Sequence, residues 1–236
     1  MSDVAVSEIR NRLGAVRAKI ESACKASGRA PSSVKLIAVS KTKSVELIRS
    51  AMAAGQLSFG ENYVNELLGK MTAEPEADWH FIGSLQTNKA KQIAGHVNLI
   101  HSVDRTKLAE EISKSLEKTP LVVQKVLLQV RVGDEVTKHG VELSSAASLL
   151  ETLLPIKNIN VSGLMCLPPL TDDENRSRKW FAEIRECFEN LRNGLSATQK
   201  EAFVELSMGT SADFEFAIQE GATIVRVGTA IFGSRN

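Results

Sequence analysis

Residues 36–43 read LIAVSKTK, and the way this stretch ends decides the fold. Leu36, Ile37, Ala38 and Val39 form an apolar run of the length of a strand buried on both faces, as in a parallel sheet. Ser40, Lys41, Thr42 and Lys43 follow, with no glycine among them. A doubly wound dinucleotide-binding sheet typically follows its first strand with GxGxxG, which lets a pyrophosphate approach the backbone. Lysines in that place disfavour this architecture, and they raise a chemical question. Lys41 is either a solvated surface amine, the commoner fate of a lysine, or an amine held at the mouth of a packed core where it can attack a carbonyl.

The pattern recurs along the chain. Short apolar runs lie at 34–40 (VKLIAVS), 57–60 (LSFG), 79–83 (WHFIG) and 98–103 (NLIHSV). Four more lie at 122–132 (VVQKVLLQVRV), 160–165 (NVSGLM), 203–209 (FVELSMG) and 223–228 (TIVRVG). Helical stretches fall between them, starting at Ser44, at Glu61, near Thr87, near Asp104 and after Val141. A long one carries Trp180, Ile184, Cys187, Phe188 and Leu191 on one face, and the last lies between Asp213 and Glu220. Eight buried runs alternating with helices predict parallel βαβ units closed into a (β/α)8 TIM barrel, with an open doubly wound sheet as the alternative. Ahead of the first strand, Ile9, Leu13, Val16 and Ile20 share one face of a helix from Ser2 to Ser27. Residues 1–30 are therefore expected to be an extra N-terminal helix packed on the barrel, and residues 1–236 a single domain.

Composition excludes several classes of function. A net charge of +1, with lysine and arginine scattered among acids, gives no field for nucleic acid or an anionic membrane. Three cysteines without paired spacing argue against a disulfide framework and for a reducing compartment. CxxC and HExxH spacings are missing and the four histidines are dispersed, so no metal site is expected. The amino terminus lacks a signal-peptide core, and no apolar run approaches a membrane span. The expected location is cytoplasmic.

In a (β/α)8 barrel the chemistry sits at the carboxyl ends of the strands. The seventh run leads into SMGTSADFEFAI, where a glycine and three hydroxyls precede a helix, the composition of an anion-holding loop. The eighth ends in RVGT, with Arg226, Gly228 and Thr229, and barrels frequently build a phosphate site from these two loops. Each loop has a plain structural reading as well, an N-cap for the first and a rim ion pair for Arg226. Asp213 in the first turn competes with an anion for the same helix end. Beside such a pocket, Lys41 would have its pKa lowered by desolvation and by Lys43 and Arg226, giving an amine able to form a Schiff base. Pyridoxal phosphate and a phosphorylated sugar undergoing aldol chemistry both fit this arrangement.

The strings AVSKTK, FGENYVNEL, WHFIGSLQTNK, HSVD, LMCLPP, LSMGTSADFEFAI and RVGTAIFG, in this order, resemble the pyridoxal phosphate homeostasis protein family, itself similar to the amino-terminal barrel of alanine racemase. The resemblance runs from about Val34 to the carboxyl terminus. It implies that Lys41 forms a Schiff base with pyridoxal 5'-phosphate, that Ser207, Gly209, Ser211, Gly228 and Thr229 hold the phosphate, and that Arg226 lies near the pyridine ring. Asn62 and Met165 are expected near the cofactor. His80 reads as a barrel histidine satisfied by nearby backbone, and Gln86, Asn88 and Lys89 as helix-capping or partner-binding residues. Thr210 stands where many relatives have methionine, a departure confined to the loop.

An arginine facing the ring nitrogen disfavours its protonation and makes the ring a poorer electron sink. The sequence ends at Asn236 and its single tyrosine is Tyr63, so no counterpart is expected for the tyrosine-bearing β-domain of related racemases. The expectation is a non-catalytic carrier, a monomeric barrel that supplies the cofactor to dependent apo-enzymes. A slow amino-acid racemase or related enzyme is the alternative, and a sugar-phosphate aldolase the third option.

Overall fold

The computed structural model describes residues 3–119, 121–133 and 139–233. The strands are β1 (Lys35–Val39), β2 (Ser58–Glu61), β3 (Asp78–Phe81), β4 (Leu99–Val103), β5 (Gln124–Arg131), β6 (Val141–Glu142), β7 (Ile159–Cys166), β8 (Glu205–Ser207) and β9 (Ile224–Val227). Every pairing is parallel, in the order β4-β3-β2-β1-β9-β8-β7-β5, and β4 pairs with β5. That last pairing closes the expected ring of eight strands. The two residues of β6 lie outside it, against β5; so short a strand carries no period of its own, and the sequence pattern does not reveal it.

The helices are α1 (Asp3–Ala26), α2 (Val45–Ala53), α3 (Val64–Ala73), α4 (Thr106–Ser115), α5 (Ala146–Leu153), α6 (Glu174–Gly194), α7 (Ala197–Ala202), α8 (Phe214–Gln219) and α9 (Thr229–Phe232). The stripe Ile9, Leu13, Val16 and Ile20 is buried, and α1 packs with it on α2, α8 and α9. Ser2, where that helix was expected to begin, lies outside the described residues. The helix expected from Glu61 starts instead at Val64, because Glu61 is the last residue of β2. Near Thr87 the chain makes only a 3-10 helix, Thr87–Gln92. No helix among the described residues is long and apolar enough to cross a membrane.

Two cores result from strand alternation, since successive side chains face the helices and the lumen in turn. The larger fills the space between strands and helices. The smaller is the barrel lumen, packed by Ile37, Leu99, Leu127, Met165 and Ile224. Gly60 keeps the lumen open enough for its neighbours: a Cβ there would lie 2.8 Å from Ile37 and 2.9 Å from Ile82.

Candidate binding site at the barrel mouth

The same alternation delivers side chains to the mouth. On the first strand Ile37 fills the lumen, and Val39 and Lys41, two and four residues on, line a cavity of about 640 Å³. On the last strand Ile224 fills the lumen, and Arg226 and Gly228 line the cavity. Asn62, Met165, Ser211 and Thr229 complete the set of expected residues that share it. Ser207 and Gly209 do not line it.

Ser207 is wholly buried, accepts a hydrogen bond from Arg226 Nη1 at 2.7 Å and lies 2.9 Å from His101 Nδ1. Gly209 has φ of +92°, and a Cβ there would meet Ala217 at 2.6 Å and Phe214 at 2.9 Å. The glycine lets the loop fold tightly against α8, and its carbonyl accepts the N–H of Arg226 at 3.0 Å. Both residues support the cavity from beneath.

Within the loop, Ser211 Oγ accepts from the backbone N–H of Gly228 at 3.1 Å and of Ala230 at 3.5 Å. Asp213 accepts from the N–H of Thr210 at 2.6 Å and its hydroxyl at 3.0 Å. The carboxylate thus takes donors that an anion could use, as its place in the sequence suggested.

Arg226 is 5% exposed. Its Nη2 donates to the carbonyl of Cys166 at 2.8 Å. Burial pulls its pKa down to about 10, with the negative charge of Asp213 acting the other way, so it remains a cation at neutral pH. Asn62 Oδ1 is buried without a hydrogen-bond partner, a costly state that a ligand donor in the cavity would relieve.

The turn carrying Lys41 is built on charged residues that the sequence pattern does not single out. Thr42 has φ of +61°, an uncommon conformation for a β-branched residue, and its N–H donates to Glu66 Oε2 at 2.8 Å. Burial pushes the Glu66 carboxyl up, but the Thr42 N–H, Lys70 and the charge of Lys41 together bring it below the usual range. Behind the turn, Lys70 donates to the Ser40 carbonyl at 2.8 Å and to Glu61 at 2.6 Å. Burial raises the pKa of Glu61 against the opposing hydrogen bonds from Lys70 and Ser40.

His80 differs from its expected role. Its partners are the side chains of His101 and Asp78, at 2.9 and 3.2 Å, and not backbone. Gln86 and Asn88 are exposed on the rim, Lys89 is half-buried, and Gln86 makes no side-chain cap. No cluster of metal-ligating side chains exists among the described residues.

Fold and site together define a barrel of the alanine racemase type, and the profile described as "Alanine racemase, N-terminal domain" matches residues 12–236. Within that class, the chain belongs to the pyridoxal phosphate homeostasis protein family. It is 46% identical over 226 residues to the pyridoxal phosphate homeostasis protein of Aquifex aeolicus, covering 95% of this chain and 97% of that one. The Escherichia coli K12 protein of the same name is 36% identical over 238 residues, covering 98% of each. PipY of Synechococcus elongatus, solved with PLP bound, superposes with a TM-score of 0.82 at 36% identity, covering 95% of this chain and 100% of that one. Alanine racemase from E. faecalis gives a TM-score of 0.64 at 16% identity over 94% of this chain and 58% of that one, a likeness of fold alone.

Proposed function

We propose that this chain holds pyridoxal 5'-phosphate at the barrel mouth through a Schiff base to Lys41, and serves intracellular supply and homeostasis of that cofactor without turnover chemistry. The observation that carries the reading is the shared cavity: an amine from the first strand faces the two loops that follow the last two strands. Relatives named for pyridoxal phosphate homeostasis, and the PLP-bound PipY, support it.

The residues present fit the cofactor. A cavity of about 640 Å³ has room for it, and the orphaned Asn62 Oδ1 awaits a donor. Pyridoxal phosphate supplies an aldehyde that an amine can capture and a ring that withdraws electrons. Lys41 would supply the amine that captures this aldehyde, with the aldehyde oxygen lost as water. Ser211, Gly228 and Thr229 would hold the phosphate, with Ser207 and Gly209 supporting that loop, and Met165 lines the cavity. Arg226 would present a cation toward the ring and so oppose protonation of its nitrogen. No carboxylate is found among the described residues lining the cavity, so no group there favours the opposite. Leu167 and Leu170 at the rim are exposed, consistent with a cofactor that exchanges. We place the protein in the cytoplasm as a monomer, with dependent apo-enzymes as recipients.

The test uses purified protein loaded with pyridoxal phosphate. It should be yellow, lose its colour to hydroxylamine, and carry a permanent label on Lys41 after borohydride. Mixing it with an apo-enzyme should restore that enzyme's activity. A label elsewhere would remove the site assignment. Exchange of the α-proton of amino acids at about 1 per second or faster would make the protein a catalyst.

A further inference from the structure

The lumen contains a polar array that the cavity alone does not explain. Four hydrogen bonds run in series: Arg226 Nη1 to Ser207 Oγ at 2.7 Å, Ser207 Oγ to His101 Nδ1 at 2.9 Å, His101 Nε2 to His80 Nδ1 at 2.9 Å, and His80 Nε2 to Asp78 Oδ2 at 3.2 Å. Asp78 opens β3, at the end of the barrel away from the mouth, where Ser58 and Lys35 also donate to it at 2.7 and 3.4 Å. His80, His101, Ser207 and Arg226 are each 5% exposed or less. The string therefore crosses an otherwise apolar interior.

Its two ends have a defined sense, because a guanidinium only donates and an ionised carboxylate only accepts. Burial opposes ionisation of Asp78, but His80, Ser58 and Lys35 outweigh it and bring its pKa below the usual range. Burial likewise pushes His101 well below the ordinary imidazole value, so it is neutral. His80 donates from Nε2 to Asp78, and the neutral His101, with a single ring proton, joins His80 through one nitrogen and Ser207 through the other. A lone pair of Ser207 receives Arg226 Nη1. Satisfied polar networks in a dry core specify geometry more than they stabilise.

We propose that His101 and His80, with Asp78 as terminal acceptor, are positioning residues for Arg226. They hold Ser207 Oγ in place so that it pins one guanidinium nitrogen, while the Cys166 carbonyl pins the other. The guanidinium plane is thereby set from the far end of the barrel, and its remaining N–H groups serve the cavity. Only the consequence for the cofactor rests on the proposed function; the orientation of Arg226 does not.

The test reads Arg226 directly, by NMR of isotopically labelled arginine side chains in the protein without added ligand. The wild type should show separate Nη signals from a guanidinium with hindered rotation. His101→Phe and Ser207→Ala should merge them, and Ser207→Thr, which keeps a hydroxyl, should retain them. On adding pyridoxal phosphate, His101→Phe should move the visible absorption maximum and weaken binding roughly tenfold, the scale of one lost hydrogen bond to a charged group. Unchanged Nη signals in His101→Phe would overturn the proposal. If that variant does not fold, Asp78→Asn gives the same reading from a residue remote from the mouth. A wild type that takes up no pyridoxal phosphate sinks the cofactor reading, while the Nη signals still decide the relay.

Discussion

Lys70 Nζ lies 2.6 Å from Glu61 Oε1, with both side chains almost wholly out of water. Lys70 also grips the Ser40 carbonyl at 2.8 Å, and the Ser40 hydroxyl donates to Glu61 at 2.6 Å. The residue before Lys41 is thus fixed from two sides by a pair that ties α3 to β2. Removing one member leaves the other charged and buried, so Lys70→Met is expected to cost about 3–5 kcal/mol in urea unfolding. The double variant Lys70→Met with Glu61→Gln should recover part of that loss. A single-variant cost below about 1 kcal/mol would mark the pair as equivalent to a surface salt bridge.

Lys41→Ala removes the proposed attachment point without touching the packed interior, since Lys41 is only partly buried. Absorbance of the bound cofactor should vanish, and borohydride should leave no label at position 41. Stability should change by no more than about 1 kcal/mol, the range of a partly exposed charge interaction such as that with Glu66. A variant that still binds the cofactor covalently would move the site elsewhere.

Two glycines should respond to alanine with opposite signs. Gly209→Ala forces a Cβ into Ala217 and Phe214 from a φ of +92°, at a cost of about 1–3 kcal/mol from overpacking alone. Gly14 lies on an exposed position of α1, where an added methyl would meet nothing within 4 Å, so Gly14→Ala should add about 0.5–1 kcal/mol through helix propensity. Thermal melts of the two variants check both signs.

His101 should govern part of the acid response. Its folded-state pKa lies well below the ordinary 6.5, so below that pH the unfolded chain binds a proton that the folded chain refuses. Its contribution is fully present above 6.5 and is lost as pH falls, by up to about 1.4 kcal/mol per pH unit. Glu61 acts in the opposite sense: its pKa is raised above the ordinary 4.5, and stability from it falls as pH rises through that window. Unfolding free energies from about pH 7 to about pH 5 should therefore fall less steeply for His101→Phe than for the wild type. Parallel curves would contradict this.

Much of the mouth is legible in the sequence because alternation is a local rule. Once LIAVSKTK is a strand, Ile37, Val39 and Lys41 must share a face, and TIVRVG puts Ile224, Arg226 and Gly228 on the matching one. The hydroxyl-rich loop and its competitor Asp213 are legible for the same reason: the groups that meet are close neighbours along the chain. Contacts set by closure of the ring are not. His101 and Ser207 are 106 positions apart, and only the order of strands and their register brings them together. Ser207 therefore reads as a phosphate ligand and His80 as a barrel histidine satisfied by nearby backbone. Glu61 reads as the start of a helix, because its partner Lys70 is recognisable only when α3 lies over β2.

The loop after β8 has a last consequence. Asp213 already answers the N–H and hydroxyl of Thr210, and Ser211 already answers Gly228 and Ala230. A phosphoryl group held there, as proposed, would swap one set of oxygens for another instead of filling bare donors. On its departure these oxygens would take back their donors. Release would then need no unfolding of the rim, which suits the proposed role of a carrier.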